Sequence, residues 1–203
     1  MKRILFITLV IALMAPTGLM AQKVYMESGK LILDMTVAAG MPAGAVTNVA
    51  KFPGSAASYS PSTSSAIANN LPNGSINATV YQKLEIAPLN VNASGVLASG
   101  DHYLTWVVAF TNCKNLTHNG VSGWRLPTQR ELFMMQIFKP AIEALFGAQF
   151  GDFNHWSATE GTGTTAWSVN LRKSSTYGSG NGTTSVSNKG STTNIVRCVR
   201  EIP

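Results

Sequence analysis

The sequence predicts an α+β domain in which two helices pack on a small antiparallel sheet with long loops. Three observations predict it. Two consecutive stretches after residue 104 space their apolar residues by three and four, as helices do. β-rich segments stand before and after that pair, in the order strand, helix, helix, then several strands. The connections between the later strands are rich in Gly, Ser, Thr and Asn. All four tryptophans and both cysteines lie after residue 100, which places the packed core in the C-terminal half.

The first strand is expected in "KLILDMTV" (residues 30–37), and "ATVYQKLEIAPLNV" (78–91) holds one or two more. Between them "GSAASYSPSTSSAIANNLPNGS" reads as loop or linker, within a stretch from 38 to 75 dominated by small and turn-forming residues. From Thr105, placed to cap a helix start, Trp106, Ala109, Phe110, Cys113 and Leu116 trace one helical face. The second helix begins inside "GWRLPTQREL" (123–132). There Pro127 precedes Thr128, and Glu131 follows three residues later, a capping box in which each side chain satisfies the other residue's backbone N–H. Leu132, Met135, Ile137 and Phe138 continue it until Lys139-Pro140, where the missing N–H of proline is expected to break it. Strands are then expected in "HWSATE" (155–160), "AWSVNLRK" (166–173) and "NIVRCVRE" (194–201). The long "SSTYGSGNGTTSVSNKGSTTN" (174–194) is read as a connection.

The chain opens with Lys2 and Arg3, an apolar run from Ile4 to Met14, and small residues up to Ala21. This is the pattern of a secretory signal peptide, too short to span a bilayer, with cleavage expected after Ala21. Gln22 rather than Cys follows the cut, which closes the lipoprotein route. The expected division is a signal peptide (1–21), an N-terminal strand with a Gly/Ser/Ala/Asn-rich segment (22–85), and the packed domain (86–203). No later stretch reaches the roughly 18 consecutive apolar residues of a membrane-spanning helix. The mature chain is thus expected to be exported, periplasmic, extracellular or at the cell surface, with no integral membrane segment. Losing Lys2 and Arg3 takes the basic count from 15 to 13 against 9 acids, and the formal charge from +6 to +4. Those basic residues are scattered, without the clusters that neutralise nucleic-acid phosphates. Cys113 and Cys198 are the only cysteines, and in an oxidising compartment they are expected to form one disulfide.

Four blocks, "TWVVAFTNCKNL" (105–116), "GWRLPTQREL" (123–132), "HWSATEGTGTTAWSVNL" (155–171) and "VRCVR" (196–200), together resemble the DUF1566 or Lcl C-terminal domain family. They are spread over residues 105–200, about half of the mature chain. The resemblance implies a C-type-lectin-like fold of the kind found in collagen-like bacterial adhesins and pilus-associated proteins. It also implies that Cys113 on the first helix is tied to Cys198 on the last strand, with "RLPT" turning the chain into the second helix. The residues themselves agree. Trp124 is large enough to anchor a core, Arg125 can hold carbonyls or a carboxylate with its planar fork, and Pro127 before Thr128 fixes the helix entry. The motif is accordingly read as scaffold.

Catalytic arrangements are not assembled by this sequence. "GVSGW" is not G-x-S-x-G, and His102, His118 and His155 sit in unrelated segments. "GSGNGTTS" (178–185) lacks the lysine of a phosphate loop, and Asp152, His155 and Glu160 are read as solvated loop residues rather than metal ligands. Formylglycine-generating enzymes share an "RLPT-x-x-E" stretch, but they need reactive thiols, whereas Cys198 has only Cys113 to pair with. No catalytic residue, metal or cofactor is expected. The E-P-N, Q-P-D and W-N-D stretches of calcium-dependent lectins are missing too, so any glycan binding should not need calcium. The ligand candidates are Trp156, Tyr177 and Asn181, because aromatic faces stack on sugars and amides pair with hydroxyls, although Trp156 and Trp167 lie in apolar strands and are read first as core residues. The expected function is a secreted, non-enzymatic, adhesin-like module that meets a glycan or host matrix protein through the 147–193 loops. The alternative is an assembly subunit of a surface appendage, pairing by strand addition through "KLILDMTV".

Overall fold

The computed structural model describes residues 23–35, 61–64, 83–147, 150–151, 153–172 and 182–202. The expected signal peptide, most of the 38–75 linker, Asp152, Tyr177 and Asn181 lie outside the described residues. The described chain runs β1 (Lys23–Glu27), β2 (Lys30–Asp34), β3 (Lys83–Ile86), β4 (Asn90–Val91), β5 (Leu97–Ala98), α1 (Trp106–Asn115) and α2 (Gln129–Phe146). It continues through β6 (Asn154–Glu160), β7 (Thr165–Asn170), β8 (Thr184–Asn188) and β9 (Val199–Glu201). All ladders are antiparallel: a four-stranded sheet β1-β2-β3-β9, a three-stranded sheet β6-β7-β8 and the pair β4-β5. The described residues form an α+β fold, with two helices and small antiparallel sheets.

Where one N-terminal strand was expected there is a hairpin. Glu27 faces Lys30, and the turn between them, Ser28–Gly29, holds φ of 49° and 77°, the geometry whose twist matches the flanking strands. β2 lies inside the sheet, paired to β1 on one side and β3 on the other, and Leu31 to Asp34 are buried. Its continuous apolar run is what a strand covered on both faces requires. The strand that motivated pairing with a neighbouring subunit therefore has both edges occupied. β3 runs across residues 85 and 86, so the hairpin shares one sheet with the C-terminal strand β9.

Two buried clusters fill the interior. Leu31, Leu33, Leu84, Ile86 and Val199 from the four-stranded sheet meet Leu132, Met135 and Ile142 of α2. Trp106, Phe110 and Cys113 of α1 meet Trp124, Leu126, Trp156, Val196 and Cys198. The apolar face expected for α1 is thus the buried one, although the Thr105 side chain makes no capping hydrogen bond; only its carbonyl accepts, from the Ala109 N–H at 2.9 Å.

α2 differs from expectation at Pro140, which lies inside the helix rather than ending it. Proline removes one N–H from the ladder, yet Met135 and Ile142 are buried on either side of it, and Lys139 donates to the carbonyls of Leu171 and Phe150. Gly147 closes the helix in the left-handed conformation at φ 61°, its N–H donating to the Glu143 carbonyl at 2.8 Å. Ile137, expected on the apolar face, is 66% exposed instead. β8 lies within the stretch read as a connection, and "NIVRCVRE" forms a strand only over Val199–Glu201. Its preceding residues pair irregularly, with the Val196 and Cys198 carbonyls accepting from Val91 and Ala87 N–H.

Candidate functional site

"GWRLPTQREL" is braced by its own side chains and by the strands around it. The Arg125 guanidinium forks onto Glu131 with two bonds of 2.8 Å, reaches Glu201 through Nε at 3.1 Å, and donates to the Leu126 carbonyl. Glu131 Oε2 also accepts from the Thr128 N–H at 2.7 Å, while Thr128 Oγ1 accepts from the Glu131 N–H at 3.2 Å, which is the expected capping box. The Arg125 backbone exchanges both hydrogen bonds with Val199, and the Pro127 carbonyl accepts from Ala158. Trp124 is buried, its indole N–H donating to the Val121 carbonyl. Arg125, Glu131 and Thr128 are buried as well, so these groups spend their polar atoms on the frame.

A second brace lies at the other end of the chain. Cys113 and Cys198 are joined as a disulfide across 5.5 Å between Cα atoms, and no free cysteine remains among the described residues. Glu160, expected to be a solvated loop residue, is buried and ion-paired to an equally buried Lys189. Lys189 also donates to the Gly163 carbonyl at 2.8 Å and stands 4.7 Å from the centre of the Trp106 ring, a cation over an aromatic face.

Trp156 does not stand where a ligand could reach it. It is fully buried in the α1 cluster, and its indole N–H donates to the Leu104 carbonyl at 2.7 Å. Exposing a ring of that size costs roughly 4–6 kcal/mol in lost apolar burial, which keeps it in the core. Of the three proposed ligand residues, then, one is core and two lie outside the described residues. The histidines stay apart, and among the described residues no group of three His, Cys, Asp or Glu side chains is placed to hold a metal.

His155 is buried rather than solvated. Its Nδ1–H donates to the Phe153 carbonyl at 3.0 Å, while Nε2 has no hydrogen-bond partner. Burial, reinforced by the nearby Arg197 and Lys139 cations, lowers its pKa from 6.5 to about 3. Between those values the unfolded chain binds a proton that the folded chain refuses, so stability is fullest above pH 6.5 and falls as pH drops toward 3. Denaturant unfolding should show a loss approaching about 1.4 kcal/mol per pH unit below 6 from this residue. That part of the slope should vanish in His155→Phe.

The exposed candidate is an aromatic pair that sequence reading did not single out. Tyr103 and Phe153 are 45% and 42% exposed, and their rings meet edge to face with centroids 5.7 Å apart. Each is held by its neighbours. Leu104, next to Tyr103, exchanges backbone bonds with Asn194 and accepts from Trp156. The Phe153 carbonyl accepts from Leu171 N–H and from His155. Partial burial and the nearby Asp101 carboxylate raise the Tyr103 phenol above its usual 10, so it remains a hydrogen-bond donor at neutral pH. Gly151 lies close against the Asp101 and Ile195 side chains, whose ends would have to shift to admit a Cβ there. Two rings, a phenol and a carboxylate on a rigid frame can stack on an apolar surface and pair with hydroxyls beside it. The sequence holds no periodic sign of this, because the two rings are fifty residues apart and meet only through the fold.

Fold and site together define a small, disulfide-tied α+β domain with a braced interior and an exposed aromatic patch. The model of the Lcl C-terminal domain family matches residues 90–200, more than half of the 203 residues, and the chain belongs to that family. No curated protein matches the chain. The β1–β2 hairpin and β3 precede the matched stretch. Among the described residues no helix is long and apolar enough to cross a membrane.

Proposed function

We propose that the protein is a secreted, non-enzymatic, adhesin-like binding module of C-type-lectin-like fold, displayed at a bacterial surface or on a pilus. The ligand is a glycan or a matrix protein, held without calcium. The observation that carries this reading is the exposed Tyr103–Phe153 pair, flanked by the hydrogen-bonded Leu104 backbone and by the Phe153 carbonyl, which accepts from Leu171. Rigid aromatics bind at low entropic cost, since little must be ordered when the partner arrives. Phe153 belongs to the 147–193 region expected to meet the ligand, and Tyr177 and Asn181 of the same region remain part of the proposed contact set.

A screen of the mature chain against arrays of glycans and matrix proteins, with and without calcium, tests it. The expected result is binding that survives a calcium chelator. Tyr103→Ala with Phe153→Ala should weaken it by about tenfold or more, as removal of stacked aromatic anchors does elsewhere, while the melting temperature stays within a few degrees. Folded protein that binds nothing on either array would contradict the proposal.

A further inference from the structure

A cleft of about 210 Å³ opens between the β1–β2 turn, the end of β3 and the turn at 118–121. Two tight turns face it. Ser28–Gly29 lies between the paired Glu27 and Lys30, and Asn119–Gly120 between the paired His118 and Val121. All four turn residues have positive φ: 49°, 77°, 51° and 74°. Among the described residues Ser28 and Asn119 are the non-glycine residues held in that conformation, and both line this one cleft. These are the angles of two-residue hairpin turns, which place positive φ at both central residues.

Four polar side chains line the cleft besides Glu85, and of these the His118 ring meets the Trp124 ring edge to face at 6.4 Å. The Ser28 hydroxyl, Lys30 ammonium, His118 imidazole and Asn119 amide make no side-chain hydrogen bond to one another, and none of the four takes part in an ion pair with a described residue. Glu85 also lines the cleft, but its carboxylate is already held by Arg200, through Nε at 3.0 Å and through the second guanidinium nitrogen. Lys30 is therefore the charge that the cleft can offer, and Glu27 opposite it on the hairpin forms no ion pair with it. The remaining surface is apolar, supplied by Ile86, Pro88, Val121 and Phe146.

We propose that this cleft binds an α-carboxylate that carries an apolar side chain, the chemistry shared by a free apolar amino acid and the last residue of a peptide. Lys30 and Asn119 take the carboxylate, and the side chain lies against Ile86, Pro88 and Phe146. The volume suits one such unit, being smaller than the several hundred Å³ that hold a drug-sized ligand. This site is separate from the aromatic pair and does not depend on the adhesin reading. Ser28, Lys30 and Glu85 precede the stretch matched by the family model, whereas His118 and Asn119 fall within it, so the hairpin completes the cleft.

The test is a titration of the mature chain with L-leucine, N-acetyl-L-leucine and L-leucinamide, followed by the His118 ring proton in NMR spectra. Both carboxylates should shift that resonance saturably, and leucinamide should not. Tighter binding of leucine assigns the site to a free amino acid, and tighter binding of the acetylated form assigns it to a chain end. Lys30→Gln should weaken either by about tenfold, the usual scale for losing a charge-assisted contact. Asn119→Gly keeps the turn and should weaken it less, which leaves a second variant should Lys30→Gln melt early. Absence of any saturable shift, leucinamide binding as well as leucine, or affinity unmoved by both variants would overturn the proposal.

Discussion

Glu131→Gln lowers the stability of the folded chain by about 3–5 kcal/mol in urea unfolding. The side chain is fully buried, and its carboxylate takes two bonds from Arg125 and one from the Thr128 N–H. Removing that charge takes from the Arg125 cation, itself 6% exposed, the carboxylate that its guanidinium forks onto, while Glu201 stays at 3.1 Å. A buried cation stripped of its main partner costs far more than the pair contributed, because desolvation is no longer offset by Coulomb attraction. The same reasoning gives the control. Arg125→Met combined with Glu131→Met removes both charges and should recover a large part of the loss, and a double-mutant cycle measures the difference. Should Glu131→Gln change stability by less than 1 kcal/mol, the brace is not what holds α2 to the sheet.

Replacing Cys113 and Cys198 together with alanine costs about 4 kcal/mol by the loop-closure argument, since the bridge spans 85 positions and its loss frees a long unfolded loop. Both sulfurs sit in the α1 cluster, fully buried, so the substitution adds a small packing loss to the entropic one. Calorimetry of the double variant against the oxidised protein checks it. Reduction of the unaltered chain should produce a similar drop, which separates the bridge from the packing change.

Local chemistry was legible in the sequence, and long-range pairing was not. The capping box needs only Thr128 and Glu131 three residues apart, so it could be read directly. The partner that makes Glu131 costly to remove is Arg125, and the third member, Glu201, lies 76 residues from that arginine. No spacing rule reaches so far. β8 escaped because "TSVSN" among Gly, Ser and Thr has the composition of a loop, and its extended form comes from the ladder with β7. Pro140 misled in the opposite direction, since burial on both sides of it outweighs one missing N–H. Trp156 shows why an aromatic near predicted loops is a poor ligand candidate. Its alternation within β6 turns it toward α1, where its N–H finds a carbonyl. The exposed pair was invisible for the same reason as the Arg125 network, because Tyr103 and Phe153 become neighbours only after the chain has folded.

On this proposal the braced motif builds the domain and the aromatic pair meets the partner. The most direct measurement compares two double variants, Tyr103→Ala/Phe153→Ala and Arg125→Met/Glu131→Met, for binding to the tightest ligand found on the arrays, alongside their melting temperatures. The first should lose about tenfold or more in affinity with its melting temperature nearly unchanged, and the second should keep its affinity while its stability shifts. Full affinity in the first variant, or selective loss of binding in a folded second variant, would contradict it.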